Sequence, residues 1–151
     1  MDIEINIDDF KNNILDVIGR TTLKEEVVPL IINRLQNLGY NLKSEDSWLI
    51  SFSFQKVENN IKDKCNVLSI PNGLKYVVVD NVVGEFLFTV KQTGKLNDSF
   101  NLDTAVKQIK LGDTNVTFDI EASNEDNLNK LINYLLSRGE DDFICYRKMR
   151  W

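Results

Sequence analysis

For chemistry at a reacting centre, the sequence offers two cysteines, 23 carboxylates and no histidine. Without histidine the chain lacks the commonest general base at neutral pH, the usual partner of a nucleophilic Ser or Cys, and the commonest metal ligand. Cys65 and Cys145 stand 80 positions apart, with no CxxC pairing to suggest zinc or redox work. Both are expected to be reduced and to pack as small hydrophobes. The seven glycines are isolated from one another, so none builds a phosphate-cradling loop. The carboxylates are scattered, and no motif places two of them together in a pocket. These residue types argue against an enzyme and lead us to expect no catalytic, metal-binding or cofactor-binding residues.

The distinctive chemistry lies instead in the stretch FICYRKMRW, Phe143 to Trp151. Its Trp, Tyr and Arg are the types enriched among interface hot spots. As an extended segment it would turn Phe143, Cys145, Arg147, Met149 and Trp151 one way, and Ile144, Tyr146, Lys148 and Arg150 the other. Such a strand can add to the sheet edge of a partner, with backbone bonds giving affinity and alternate side chains specificity. The plainer alternative is an edge strand folded back on the chain's own core. From the residues alone that alternative, with Phe143, Ile144 and Tyr146 on the chain's own core, is favoured, and residues 139–151 are read as an extended segment.

The 151 residues suit one domain, residues 1–151, large enough for its own core. A hydrophobic share of 42% and a charged share of 27% are those of a folded globular protein. A net charge of -5 argues against a general nucleic-acid binder, which needs a basic face against phosphates. No run of about 18 apolar residues suggests a membrane span. The acidic opening MDIEINIDDF lacks the pattern of a signal peptide, so a cytoplasmic origin is expected.

Periodicity supplies the elements. Phe10, Ile14, Leu15, Val17 and Ile18 predict a short helix behind Asp8 and Asp9 as caps, ending at Gly19. A capping box of Thr22 and Glu25 opens a second helix, with a kink or late start expected at Pro29. Ile50, Phe54, Val57, Ile61 and Cys65 predict a third helix, capped by Ser44 or Asp46, although SFSF alternates like a strand. IPNGLKYVVVDNVVGEFLFTV carries apolar residues on two helical faces, which predicts a buried central helix despite its β-branched run. Over 105–120 the period changes to two. Ile109 and Leu111, then Gly112-Asp113, then Val116 and Phe118 predict a type II′ hairpin. Such a hairpin must pack on something, either the helical core or a neighbouring subunit. A last helix runs from Ser123 to Gly139, followed by Glu140, Asp141 and Asp142. The fold class expected is therefore mainly α, a small domain of about four to five helices with one β-hairpin and an extended C-terminal tail.

In this order, short helices, IPNGLKYVVVDNVVGEFL, IKLGDTNVTF and a closing helix with YRKMRW, the chain resembles the head–tail connector (adaptor) proteins of tailed bacteriophages. The resemblance covers about residues 8–151. It implies a structural virion protein in the neck between head and tail, assembled in the host cytoplasm. Copies would form a ring, commonly of twelve, beneath the portal protein. That ring would extend the DNA channel and present a surface to a stopper or tail-completion protein. It implies that Phe143–Trp151 docks on the portal, and that DNA passes without sequence-specific binding. In such a conduit, acidic residues among Asp8–Asp9, Glu25–Glu26 and Glu140–Asp142 would repel the duplex. The rival reading is a cytoplasmic, non-enzymatic adaptor or regulator that binds a single protein partner.

Overall fold

Between Lys75 and Gln92 the chain buries Val77, Val78, Val79, Val82, Val83, Phe86, Leu87 and Val90, together with Asp80, Asn81 and Gly84. Over residues 77–84 the burial is continuous, and there packing overrides the strand preference of its valines. The segment is a helix, as its spacing predicts, and the other elements are arranged around it. The computed structural model describes residues 5–94, 96, 100–112, 124–147 and 149. Among these the helices are α1 (Ile7–Ile18), α2 (Thr22–Asn37), α3 (Asp46–Cys65), α4 (Lys75–Gln92), α5 (Leu102–Gly112), α6 (Asn124–Ser137) and α7 (Glu140–Tyr146). A 3₁₀ turn, Asn72–Leu74, leads into α4. Helix α4 packs against α2, α3 and α6, while α1 covers α2 and α3, and α7 lies on α3.

Local signals set most boundaries. Asn6 rather than Asp8 or Asp9 caps α1, its side chain accepting from the Asp8 and Asp9 amides at 3.0 and 3.3 Å. Thr21, one residue before the expected box, caps α2 by accepting from the Lys24 amide at 3.2 Å. Helix α2 runs unbroken through Pro29, which forgoes its own amide bond while the following residues bury Ile31, Ile32 and Leu35. Helix α3 ends at Asn66, in the left-handed region at φ 53°.

The expected hairpin is overturned in its first arm. Residues 102–112 form α5, started by Asn101, whose side chain accepts from the Thr104 amide at 3.1 Å. Ala105 and Ile109, four apart, are buried, whereas Leu111 is 80% exposed. A strand would have put Ile109 and Leu111 on the same face, so the helical period wins over the short alternation. Gly112 closes this helix rather than opening a turn. Asp113, Val116 and Phe118 lie outside the described residues. Among the described residues the β content is one antiparallel bridge, Tyr40 with Phe100, beside the Asn101 amide bonded to the Gly39 carbonyl at 3.1 Å.

Two polar residues in the VVVDNVV run join three helices. The Asp80 carboxylate lies 3.2 Å from Nε of Arg34 on α2 and 3.1 Å from Nε of Arg138, just past α6. Asn81, with its amide nitrogen turned toward α6, comes within 2.8, 3.2 and 3.3 Å of the carbonyl oxygens of Leu135, Leu136 and Arg138. These are last-turn carbonyls that α6 cannot satisfy itself. Gly84, one turn further along α4, lets α6 come close: a methyl there would stand 2.9 Å from Leu135 Cβ and 3.1 Å from the Leu136 nitrogen. Gly84→Ala is therefore expected to lower unfolding free energy by about 1–3 kcal/mol, despite the better helix propensity of alanine. Urea titration of the two proteins measures it, and an equal or higher midpoint for the variant would contradict the close packing.

Candidate functional site

The segment singled out by its chemistry begins as a helix, not as an extended tail. Gly139, at φ +82°, turns the chain after α6, and the amide of Phe143 bonds to the Gly139 carbonyl at 3.0 Å. A side chain at Gly139 would overlap Val77, so this reversal presses against the start of α4. Glu140, Asp141 and Asp142 occupy the first turn of α7, where negative charge suits a helix N-terminus. The acidic triplet thus starts a helix where the sequence reading took it as a separator.

Phe143 is 4% exposed and belongs to the core. Cys65 donates its thiol hydrogen to the Phe143 carbonyl over 3.6 Å, and Lys64 Nζ sits 5.4 Å from the phenyl centroid while pairing with Glu140 at 4.0 Å. Burial pushes the Cys65 thiol pKa up, which keeps it protonated and donating. Tyr146 lays its hydroxyl over Gly73, where a methyl group would overlap it. Phe143 and Tyr146, one turn apart, hold α7 against the corner between α3 and α4.

Beyond this latch the chain leaves the helix. Arg147 is extended, at φ −66° and ψ 127°. Ile144 is 76% exposed and Met149 81% exposed, and Arg147 is exposed as well. Of the nine residues expected to dock, Phe143 is committed to the protein's own core. Tyr146 is shared between latch and surface, and Ile144, Arg147 and Met149 are free to meet a partner. Cys145 lies within α7; Lys148, Arg150 and Trp151 lie outside the described residues. Of the hairpin set, Ile109 is core and Leu111 is exposed at the end of α5, far in sequence from the latch.

The acidic candidates are exposed surface groups. Asp8 pairs with Lys11 at 3.7 Å and Glu26 with Lys75 at 3.1 Å, pairs of little energetic weight. The described residues contain no helix long and apolar enough to cross a membrane and no group of three or more metal-ligating side chains.

Sequence reasoning missed a buried carboxylate at the opposite end of α3. Asp46 accepts from the Tyr40 hydroxyl at 3.0 Å and from the Lys43 amide at 2.9 Å, and Tyr40 packs edge-on against Phe86, centroids 5.1 Å apart. Burial is the main cause that raises the Asp46 pKa above its ordinary 3.8, outweighing the two hydrogen bonds. The signal was present as a tyrosine and an aspartate six apart around a turn, but spacing does not tell a staple from a cap.

Compared with family models, curated proteins and solved structures, the chain matches none.

Two measurements test this geometry. Phe143→Ala should lower stability by about 3 kcal/mol, the order found for deleting a buried ring. A change within about 0.5 kcal/mol in urea unfolding would mean that the latch does not hold α7. Because the folded-state pKa of Asp46 is raised, its contribution is greatest below 3.8 and is lost as pH rises through the folded value. The unfolding free energy of wild type minus that of Asp46→Asn should therefore fall as pH rises from 3.8 and then level off. A difference that grows with pH would refute the assignment.

Proposed function

We propose that this chain is a head–tail connector of a tailed bacteriophage, a structural part of the virion neck that attaches to the portal through the segment leaving α7. The carrying observation is that α7 is latched by Phe143 and Tyr146, and that the chain becomes extended and exposed immediately afterwards, at Arg147. Support also comes from charge. Residues 143–151 hold three basic side chains and no acidic one, so the total of -5 leaves -8 on residues 1–142. A basic, aromatic segment on an otherwise acidic chain suits a partner's surface, and the latch at Phe143 and Tyr146 fixes where that segment starts. It is offered to a neighbour as a short strand. Five extended residues from Arg147 span up to about 17 Å, enough to cross an interface.

In this role the helical bundle is one unit of a ring that continues the DNA channel. Acidic residues on its surface weaken adhesion of the passing duplex. The portal, the neighbouring copies and a stopper or tail-completion protein are its partners. The docking segment is shorter than its sequence alone suggests, because Phe143 stays at home. Attachment then falls to Ile144 and to the residues from Arg147 onward.

Removing residues 148–151 should leave the melting temperature within about 2 °C of the full chain, since nothing in the latch is cut, and should abolish capture by purified cognate portal rings. Removing residues 143–151 should cost both binding and several degrees of stability. Undiminished portal capture by the shorter truncation, measured by pull-down, would overturn the connector reading and favour an adaptor with another partner.

A further inference from the structure

Where α1 meets the first turns of α3, the protein holds side chains that its own packing does not use. A cleft of about 380 Å³ opens there, within the size range of small-molecule sites. Asn13, Asp16 and Val17 of α1 wall one side, and Ser47, Trp48 and Ser51 of α3 the other. Trp48 is 62% exposed, while α3 buries Ile50, Phe54, Val57 and Ile61 elsewhere on its surface. Phe52, also exposed, stands beside it, the ring centroids 6.4 Å apart and the planes tilted by 33°. A packed tryptophan buries roughly 150–250 Å², and most of that area is still open to a ligand here.

The polar groups around the indole accept more than they donate. Ser47 donates its hydroxyl hydrogen to the Ser44 carbonyl at 3.2 Å, and Ser51 donates to the Ser47 carbonyl at 2.7 Å. Both therefore turn only oxygen lone pairs toward the cleft floor. Asp16 accepts from Arg20 Nη2 through one carboxylate oxygen, at 2.9 Å, and keeps its second oxygen for another donor. Asn13 adds an exposed amide. Among the described residues lining the cleft, Asp16 is the one charged side chain, and Arg20 balances it.

That balance selects the class of ligand. A cation over Trp48 would need a carboxylate of its own, and this one is already paired. An anion would meet lone pairs and a negative charge. A wholly apolar guest would strip water from the acceptors and return nothing. A neutral molecule with one apolar face and hydroxyl donors around its rim satisfies every wall. A pyranose ring has that form: its C–H face suits the electron-rich face of the indole, and its hydroxyls suit the acceptors.

We infer that the cleft between α1 and α3 is a saccharide site, where Trp48 stacks on a neutral pyranose and Asp16 and Asn13 accept from its hydroxyls. The site lies at the other end of α3 from Cys65 and the latch, and it does not rest on the connector reading.

Titration of the full, isotope-labelled chain with methyl glycosides of glucose, galactose, mannose and N-acetylglucosamine tests it. The readout is the indole N–H resonance of Trp48, assigned with Trp48→Phe. At least one glycoside should shift it saturably, with a Kd of about 1 mM, as suits a ligand of about a dozen heavy atoms. Trp48→Ala, followed at the Ser47 and Ser51 amides, should weaken that binding at least about tenfold. Asp16→Ala should weaken it at least about threefold, and both variants should keep the helical circular dichroism, since both side chains are exposed. A tetrasaccharide of the same sugar that binds at least about tenfold tighter assigns the site to a glycan chain, with Phe52 under the next ring; equal affinity assigns it to a single sugar. Three results would each overturn the inference: no saturable shift with any glycoside up to about 50 mM, affinity unchanged in either variant, or cyclohexanol or tetramethylammonium binding as tightly as the glycoside.

Discussion

A carboxylate inside a valine-rich helix governs this fold. Unpaired, Asp80 would cost several kcal/mol in such surroundings. With guanidinium groups of Arg34 and Arg138 on either side, it becomes the point where α2, α4 and the end of α6 meet. Over residues 77–84 α4 is buried all round, so no apolar stripe fixes its rotation there. Asp80 and the adjacent Asn81 remove that freedom. Only one rotation aims the carboxylate between the two arginines while the amide meets the carbonyls ending α6. Gly84 then falls where α6 approaches most closely. Specificity here comes from two polar groups, and bulk stability from the valines around them.

How much of this was legible follows from what each signal is made of. The helices α1 to α4 and α6 were readable because their buried residues recur every three or four positions, and burial is what that period encodes. In α4, two apolar faces outweighed a β-branched run, since a residue surrounded by other helices is not choosing on propensity. The hairpin misreading rested on a short alternation of Ile109 and Leu111 before Gly112, too brief a window to outweigh a helical period. Ala105, small and easily overlooked, was the buried position that should have decided it. Asn101 also reads as a cap once a helix is considered.

The site was legible in composition but not in conformation. Tyr, Arg, Met and Trp near one end singled out the segment by residue types that suit binding. Its root was misjudged because an acidic triplet after a glycine reads equally as a loop or as the first turn of another helix. Only tertiary contact separates them, in the fit of Phe143 beside Cys65 and of Tyr146 over Gly73. Asp80 and Asn81 were visible as polar intruders in an apolar run, but their partners lie 46 positions back and more than 50 ahead. The outward aromatics of α3 were equally visible, lying off the stripe that defines its buried face.

The latch also sets how the protein carries tension. A pull on Arg147 passes into Tyr146 and Phe143 before it reaches Gly139, the reversal behind them. While the phenyl ring stays seated, load is delivered sideways into α3 and the turn that starts α4. The reversal at Gly139 and the end of α6 are spared. To yield, the ring must leave its pocket and present on the order of 200 Å² of apolar surface to water, a discrete threshold rather than gradual stretching. Once it has left, the seven residues of α7 are free to unwind, and at about 3.3 Å per extended residue instead of 1.5 Å they pay out roughly 13 Å of slack. The joint behaves as a rigid strut at low load and as a short elastic leash beyond it.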